Sequence, residues 1–434
     1  MQEDFLHYVW KLQYFNRFAL TTCQGEQLQI YHPGTHNDLA GPDFCDGVIV
    51  INNVSWYGHI EIHINASDWY THRHHTNKAY DNVILHVVWN HDREVQQQDG
   101  TIMPTLVLKD RIAPKLQKQY HRLIHNNAII PCAKQLPQVT TLLKTAMLDK
   151  ALFQRLTHKN SLVCRLLEGN KGDWEETAYQ LLCYNFGFKI NSSTFLDLAL
   201  SLPLKILAKH TDSLLHIEAL LLGQASLLPT NDMAAKDVYL EALTREHSYL
   251  AHKYQLRVSD IQASRWHFFR LRPANFPTIR IAQLAQLIHQ HTSIFDLLVK
   301  TSTKILSKKL AITQSSYWQK HYRYAQQSSK KIPGLGKASI EHILINTAVP
   351  LLIAYGKGKD DHDYIDRAVA ILQHLPAEHN AIIHRWKTVG IKAENAFDSQ
   401  ALIELFNNFC AKKQCLSCNI GVSIMQTPLV RRSD

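Results

Sequence analysis

The chain reads as an α+β protein: an N-terminal mixed-sheet core of helix, three strands, helix and strand, followed by a mostly α-helical domain. Three observations predict this. Short β-branched and aromatic runs, separated by turn residues, crowd residues 28–108. Beyond about residue 114 those runs fade, and apolar residues recur at helical spacing with few glycines. Asn52-Asn53 sits between two strand patterns, where a tight hairpin would turn.

In order, residues 3–18 place Phe5, Tyr8, Val9, Leu12 and Phe15 on one helical face. A short strand over 28–31 ends at His32-Pro33-Gly34, because proline has no amide for a central ladder. The following loop delivers Asp43 to a strand over 44–51. Asparagine tolerates positive φ, so Asn52-Asn53 can turn the chain into a strand over 55–64. Ser67 or Asp68 can cap a short helix carrying His72, His74, His75 and Tyr80. The near-continuous apolar run 82–89 suits a strand buried on both faces, and 101–108 supply a further hairpin or edge strand. Helical segments follow over 175–184, 214–222, 238–254, 279–290 and 364–375, with a subdivision expected near 325–335. The expected domains are 1–113 (sheet), 114–405 (helical) and 406–434, a cysteine-containing segment packing back near Cys132.

With 434 residues and 45% hydrophobic content the chain can bury a sizeable core, which excludes a disordered class. A net charge of +10 suits a polyanionic partner, and nucleic acid is the partner expected. The opening residues lack the basic-then-apolar form of a signal peptide, and the longest apolar run, 343–355, is short for a bilayer. The expectation is a cytoplasmic protein with no membrane association, whose eight cysteines are thiols or metal ligands rather than disulfides.

Glu61 and His63 stand two apart on one strand and project from the same face. A hairpin turning at Asn52-Asn53 returns Glu61 beside Asp43 and Phe44, whereas a slip of one or two residues would bring Asp46 opposite instead. Asp43, at the strand's start beside an irregular loop, is preferred. Asp43, Glu61 and His63 are the candidate ligands of a divalent metal, Mg²⁺ or Mn²⁺. His86 is expected near this site rather than in it. On a helix, the spacing of His72, His74 and His75 does not focus them on one point.

Pro42-Asp43 followed by Glu61-Ile62-His63, on that order of elements, resembles the PD-(D/E)XK nuclease superfamily over roughly the first 110 residues. The resemblance implies that Asp43 and Glu61 bind a divalent metal, usually magnesium. It implies too that His63, standing where the family has lysine, assists the attacking water in phosphodiester hydrolysis. An imidazole there shifts the metal preference toward Mn²⁺, Fe²⁺ or Zn²⁺, and equally suits an inactive descendant. Glu3 is the candidate for a helix glutamate that some members use, and Thr76 stands where a glutamine is expected.

Cys410, Cys415 and Cys418 gather three thiols in nine residues. A closed zinc or iron–sulfur site wants four ligands, and Cys132, in a turn at the border of the two regions, is the chosen fourth. This arrangement, though not its spacing, is similar to the iron–sulfur staple of some nucleases in that superfamily. Cys164 and Cys183 read as helix core.

Two basic segments complete the candidates. Residues 266–280 interleave aromatics with Arg270, Arg272 and Arg280, which suits phosphate contacts and base stacking, or equally a buried loop pinned by arginine–carboxylate pairs. Lys331 to Lys337, around Pro333-Gly334-Leu335-Gly336, resembles the hairpin of helix-hairpin-helix DNA-binding motifs, although a plain helix-capping turn is preferred.

Across nearly its full length the sequence resembles an uncharacterised bacterial family, through Gly41-Pro42-Asp43-Phe44, Ile60-Glu61-Ile62-His63, Ser67-Asp68-Trp69, residues 80–86, the 270–280 segment and the terminal cysteines. That resemblance implies no activity. The expected function is a metal-dependent nuclease on DNA or RNA. The alternative is a non-catalytic nucleic-acid-binding or scaffold protein with a relic nuclease fold and a structural cysteine site. A third reading is a zinc hydrolase built on His63, His72 and His86.

Overall fold

The computed structural model describes residues 2–37, 39–229, 237–257 and 261–426. Helix accounts for 54% and strand for 12%, which makes the chain α+β. It forms two compact units: one reaches from the N-terminus to Leu148 and includes the described residues from Leu405, and the other is Asp149–Glu404.

The first unit opens with α1 (Glu3–Lys11), whose acidic first turn and terminal lysine match the helix dipole and whose Phe5, Leu6, Val9 and Trp10 are buried. A six-stranded mixed sheet follows, from β1 (Leu28–His32), β2 (Thr35–His36), β3 (Phe44–Ile51), β4 (Val54–Asn65), β5 (Val83–Asn90) and β6 (Thr105–Val107), in the order β1-β3-β4-β5-β6 with β2 beside β3. Pairing is antiparallel up to β4 and parallel from β4 to β6. The β3–β4 hairpin turns on Asn52 and Asn53, at φ 47° and 67°, the left-handed pair that a two-residue turn requires. The first six residues of β5 are buried, as its apolar run predicts. The last strand is shorter than its pattern, since only an isolated bridge, Gln96 to Ile102, precedes it.

The segment after β4 differs from expectation. Its helix, α2 (Asp68–Thr71), lasts one turn, because Arg73 takes a left-handed conformation at φ 61°. Two 3₁₀ turns, His74–Thr76 and Lys78–Tyr80, carry the chain on to β5. Trp69 fills the space beneath with Ala66, Val88 and Met103.

In the second unit the helices Trp174–Phe186, Leu214–Gln224, Val238–Lys253, Pro277–Gln290 and His362–His374 follow the sequence pattern. Asp173, Ser213, Asp237 and Asp361 cap four of them through side-chain oxygens. Near 325–335 the chain forms a two-stranded ribbon, His321–Arg323 with Gln326–Gln327, inside this unit. The apolar run at 343–355 belongs to a longer helical stretch, Lys337–Lys359, which by length and composition alone could cross a membrane; most of it is buried in the unit, as a core helix is. Pro350 cannot donate to the Asn346 carbonyl, and the helix widens into a π turn, Leu344–Ala348, just before it. The freed carbonyl accepts instead from Asn185 Nδ2 at 3.0 Å.

Candidate metal centre

β4 is the strand at which the sheet changes from antiparallel to parallel pairing, and Glu61 and His63 lie on it, buried. Between Phe44 and Gly47 the β3–β4 register shifts by one, with Asp46 in left-handed geometry at φ 59°. Continued past Phe44–Ile60, the shifted register sets Asp43, rather than Phe44, against Glu61. The contacts agree: the Asp43 amide donates to Glu61 Oε2 (3.1 Å), and the Ile62 amide donates to Asp43 Oδ2 (2.9 Å). Asp46 is exposed, its amide 3.4 Å from His59 Nδ1.

The left-handed Arg73 swings the histidine turn back over β4. His63, His72 and His74 offer ligand atoms that all lie within 4.8 Å of one another. His63 Nε2 is 3.1 Å from His72 Nδ1 and 3.6 Å from Glu61 Oε1, while His74 Nε2 is 3.1 Å from the same Glu61 oxygen. Donors around a tetrahedral ion with bonds of 2.0–2.1 Å stand about 3.4 Å apart, so these spacings fit one divalent cation. α-Helical spacing does not govern these histidines, because the α-helix ends at Thr71 and Arg73 reverses the chain before the 3₁₀ turn that carries His74.

Surrounding groups fix the ligands. His63 Nδ1 lies 2.8 Å from His86 Nε2, with both rings buried, so His86 supports His63 from behind and leaves Nε2 for a ligand role. Tyr80 stacks on His74 at 3.8 Å, and Trp69 meets His74 and His86. From α1, His7 Nε2 approaches Asp43 Oδ2 at 3.3 Å. His72 is exposed and opens the cluster to solvent.

Burial, then His74 and His72, pulls the His63 pKa down to about 3, and burial holds His86 well below an ordinary histidine. Glu61 is raised by burial, with His74 opposing and Asp43 reinforcing. Glu3 is pushed up to about 7 by burial and then by Asp43. For His7, burial is outweighed by the hydrogen bond and charge of Asp43, and its pKa rises. The pattern is one of carboxylates crowded together beside the neutral imidazoles of His63 and His86, which a cation would relieve.

His7, His74 and Tyr80 are the members that sequence reasoning left outside the site. The i, i+4 pair Glu3 and His7, on one face of the first helix, was the available signal for the first.

The four cysteines belong to the first unit and lie near enough to influence one another electrostatically, without meeting the 4.8 Å spacing that the histidines show. Cys132, Cys415 and Cys418 are buried, and Cys410 is half-buried. Burial raises the Cys132 thiol to about 12, with Cys418 and Cys415 adding to it; Cys410 is raised by burial and by all three others. The 3₁₀ turn Cys415–Ser417 and the helix Asn419–Gln426 pack so tightly that a Cβ on Gly421 would stand 2.3 Å from the Cys415 carbonyl oxygen. Cys183 is buried in its helix, as expected, whereas Cys164 is exposed rather than core. Residues 427–434 of the cysteine-containing segment lie outside the described residues.

The basic candidates divide. Arg270, Arg272, Lys331 and Lys337 are exposed, but Arg280 is buried and bonded to neutral side chains rather than to carboxylates. The helix-hairpin-helix pattern lacks its upstream helix, which is replaced by the ribbon at 321–327. A Cβ on Gly334 would lie 2.2 Å from the Ile312 carbonyl oxygen, so that glycine serves close backbone packing.

Fold and cluster together define an α+β protein with a histidine–carboxylate centre at the seam of a mixed sheet. The chain belongs to the family described as Protein of unknown function (DUF2851), whose model matches residues 3–381 and so spans this centre but ends before Cys410. No curated protein and no solved structure matches it.

Proposed function

We propose that the protein is a metal-dependent phosphodiesterase acting on nucleic acid, with a PD-(D/E)XK-like core and its metal held by Glu61, His63, His72 and His74 beside Asp43. The convergence of these side chains on β4 carries the reading. A bound divalent ion would supply charge neutralisation at a phosphate and a more acidic water. The neutral His63 offers a lone pair at Nε2, with His86 holding the ring. Glu3, titrating near neutral pH, can take or give a proton beside Asp43. Mg²⁺ and Mn²⁺ suit the carboxylates; three imidazoles move the preference to Mn²⁺, Fe²⁺ or Zn²⁺. Cys132, Cys410, Cys415 and Cys418 are proposed to hold a separate structural zinc ion or iron–sulfur cluster.

The test is cleavage of labelled single- and double-stranded DNA and RNA by metal-stripped protein resupplied with Mn²⁺, Zn²⁺ or Mg²⁺. Cleavage should fall about 100-fold or more in Asp43→Ala and Glu61→Ala. Cleavage that persists in both variants would sink the site. Histidine in place of lysine also favours a second reading, a relic fold that binds without turnover. That reading predicts salt-sensitive binding and no product with any of the three metals.

A further inference from the structure

The helical unit contains a cavity of about 740 Å³ that the metal centre does not use. Phe186, Phe188, Ile190, Phe195 and Leu271 supply apolar wall, and Arg280, Lys337, Ser339 and His342 supply a polar side. Arg280 is only 6% exposed. Its guanidinium donates to Gln283 Oε1 (2.9 Å), Asn275 Oδ1 (2.6 Å) and Ser339 Oγ (3.0 Å), all neutral acceptors, and its Nε has no partner. The Phe188 ring lies 4.1 Å from it.

A buried cation surrounded by neutral groups is costly unless a counterion arrives from elsewhere. Of the cavity's own carboxylates, Glu378 accepts from Gln400, and Glu341 stands 3.9 Å from the exposed Lys337 ammonium with its buried Oε1 hydrogen-bonded to nothing among the described residues. Burial alone pulls the Arg280 pKa down to about 10, with no carboxylate opposing it. The helix that begins at Lys337 runs on to Lys359, and Gly336 before it has no side chain to cap its first amides.

We propose that this cavity binds a small organic anion, a phosphate or carboxylate on an apolar or aromatic body of about nucleotide size, whose charge neutralises Arg280. The volume falls in the range of small-molecule sites, roughly 300–1,000 Å³. Arg280 and Lys337, which the sequence suggests as contacts to a nucleic-acid strand, thereby border one pocket, Arg280 buried in its wall and Lys337 at its open side. The inference goes beyond the phosphodiesterase reading and stands apart from it.

Calorimetric titration of the full-length protein with AMP, UMP, indole-3-carboxylate and inorganic phosphate tests it. At least one organic anion should bind about tenfold or more tightly than phosphate alone, and which one binds separates a nucleotide from a carboxylic acid. Ala377→Phe, which fills the cavity from a surface segment, and Lys337→Glu should each weaken that binding about tenfold or more. Glu61→Ala should leave it unchanged, so failure here is separable from failure of the metal centre. No binding by any organic probe up to about 5 mM, binding no tighter than phosphate, binding that survives both cavity variants, or binding lost in Glu61→Ala would each overturn the proposal.

Discussion

Neutral imidazoles bind metals, and His63 stays neutral far below physiological pH. Its two ring nitrogens have separate tasks, one toward the cluster and one toward His86. His74→Ala, which removes a donor, should therefore lower Zn²⁺ or Mn²⁺ affinity by about 100-fold or more. His86→Phe should cost about 10–100-fold, the range for a group behind a ligand. Metal titration compares them, and equal losses would place His86 among the ligands. In the helical unit, Glu218 is 1% exposed, accepts from the Tyr239 hydroxyl at 2.6 Å, and is pushed by burial from 4.5 up to about 7. Between those values the folded state holds the extra proton, so stability falls as pH rises through the window, by up to about 3 kcal/mol. Glu218→Gln should flatten that fall in urea midpoints measured from pH 4.5 to 8; an unchanged profile would assign it to another group. The pairing of Glu61 with His63 was legible in the sequence because strand periodicity is two. Arg280 was not, since composition does not tell a buried guanidinium from an exposed one.

The strands were legible for the same reason as Glu61, and the Asn52-Asn53 turn because few residue pairs accept two left-handed conformations. Two local departures escaped. The bulge at Asp46 decides which residue meets Glu61; Asp46-Gly47 tolerates a left-handed conformation, but an aspartate inside a strand pattern does not announce that one is taken. The left-handed Arg73 ends α2 early, which turns histidines spaced poorly for a helix into a converging set. Capped helices in the second unit were easier to read, but the π turn before Pro350 depends on Asn185, distant in sequence. Asn185→Ala should leave the Asn346 carbonyl without its side-chain donor, at a cost of about 1–3 kcal/mol. Denaturant unfolding reads this directly; a shift under about 0.5 kcal/mol would mean that another donor or water replaces the amide.

At the scale of the molecule, the first unit is assembled from two stretches of chain, and the four thiols belong to both of them. If they hold zinc or an iron–sulfur cluster, purified protein should carry about one ion or cluster per chain at this site. Cys132→Ser and Cys415→Ser should each release it, while Cys183→Ser, in a separate buried helix position, should not. Retention in Cys132→Ser would make that residue the wrong fourth ligand. The cysteine spacing was legible because three thiols crowd a short segment; Cys132 was chosen as the fourth from its turn at the border of the two regions, a choice that the metal content of these variants tests.

The histidine turn has a consequence for how the protein is made. Every side chain of the candidate metal centre, from Glu3 to His86, precedes the helical unit in the chain and is synthesised before it. Its closure spans short loops and carries a small entropy cost. The thiols wait: the whole helical unit must be translated between Cys132 and Cys410. One centre can form before the helical unit is made, and the other only after it, so the second would lock an assembly the first has already begun.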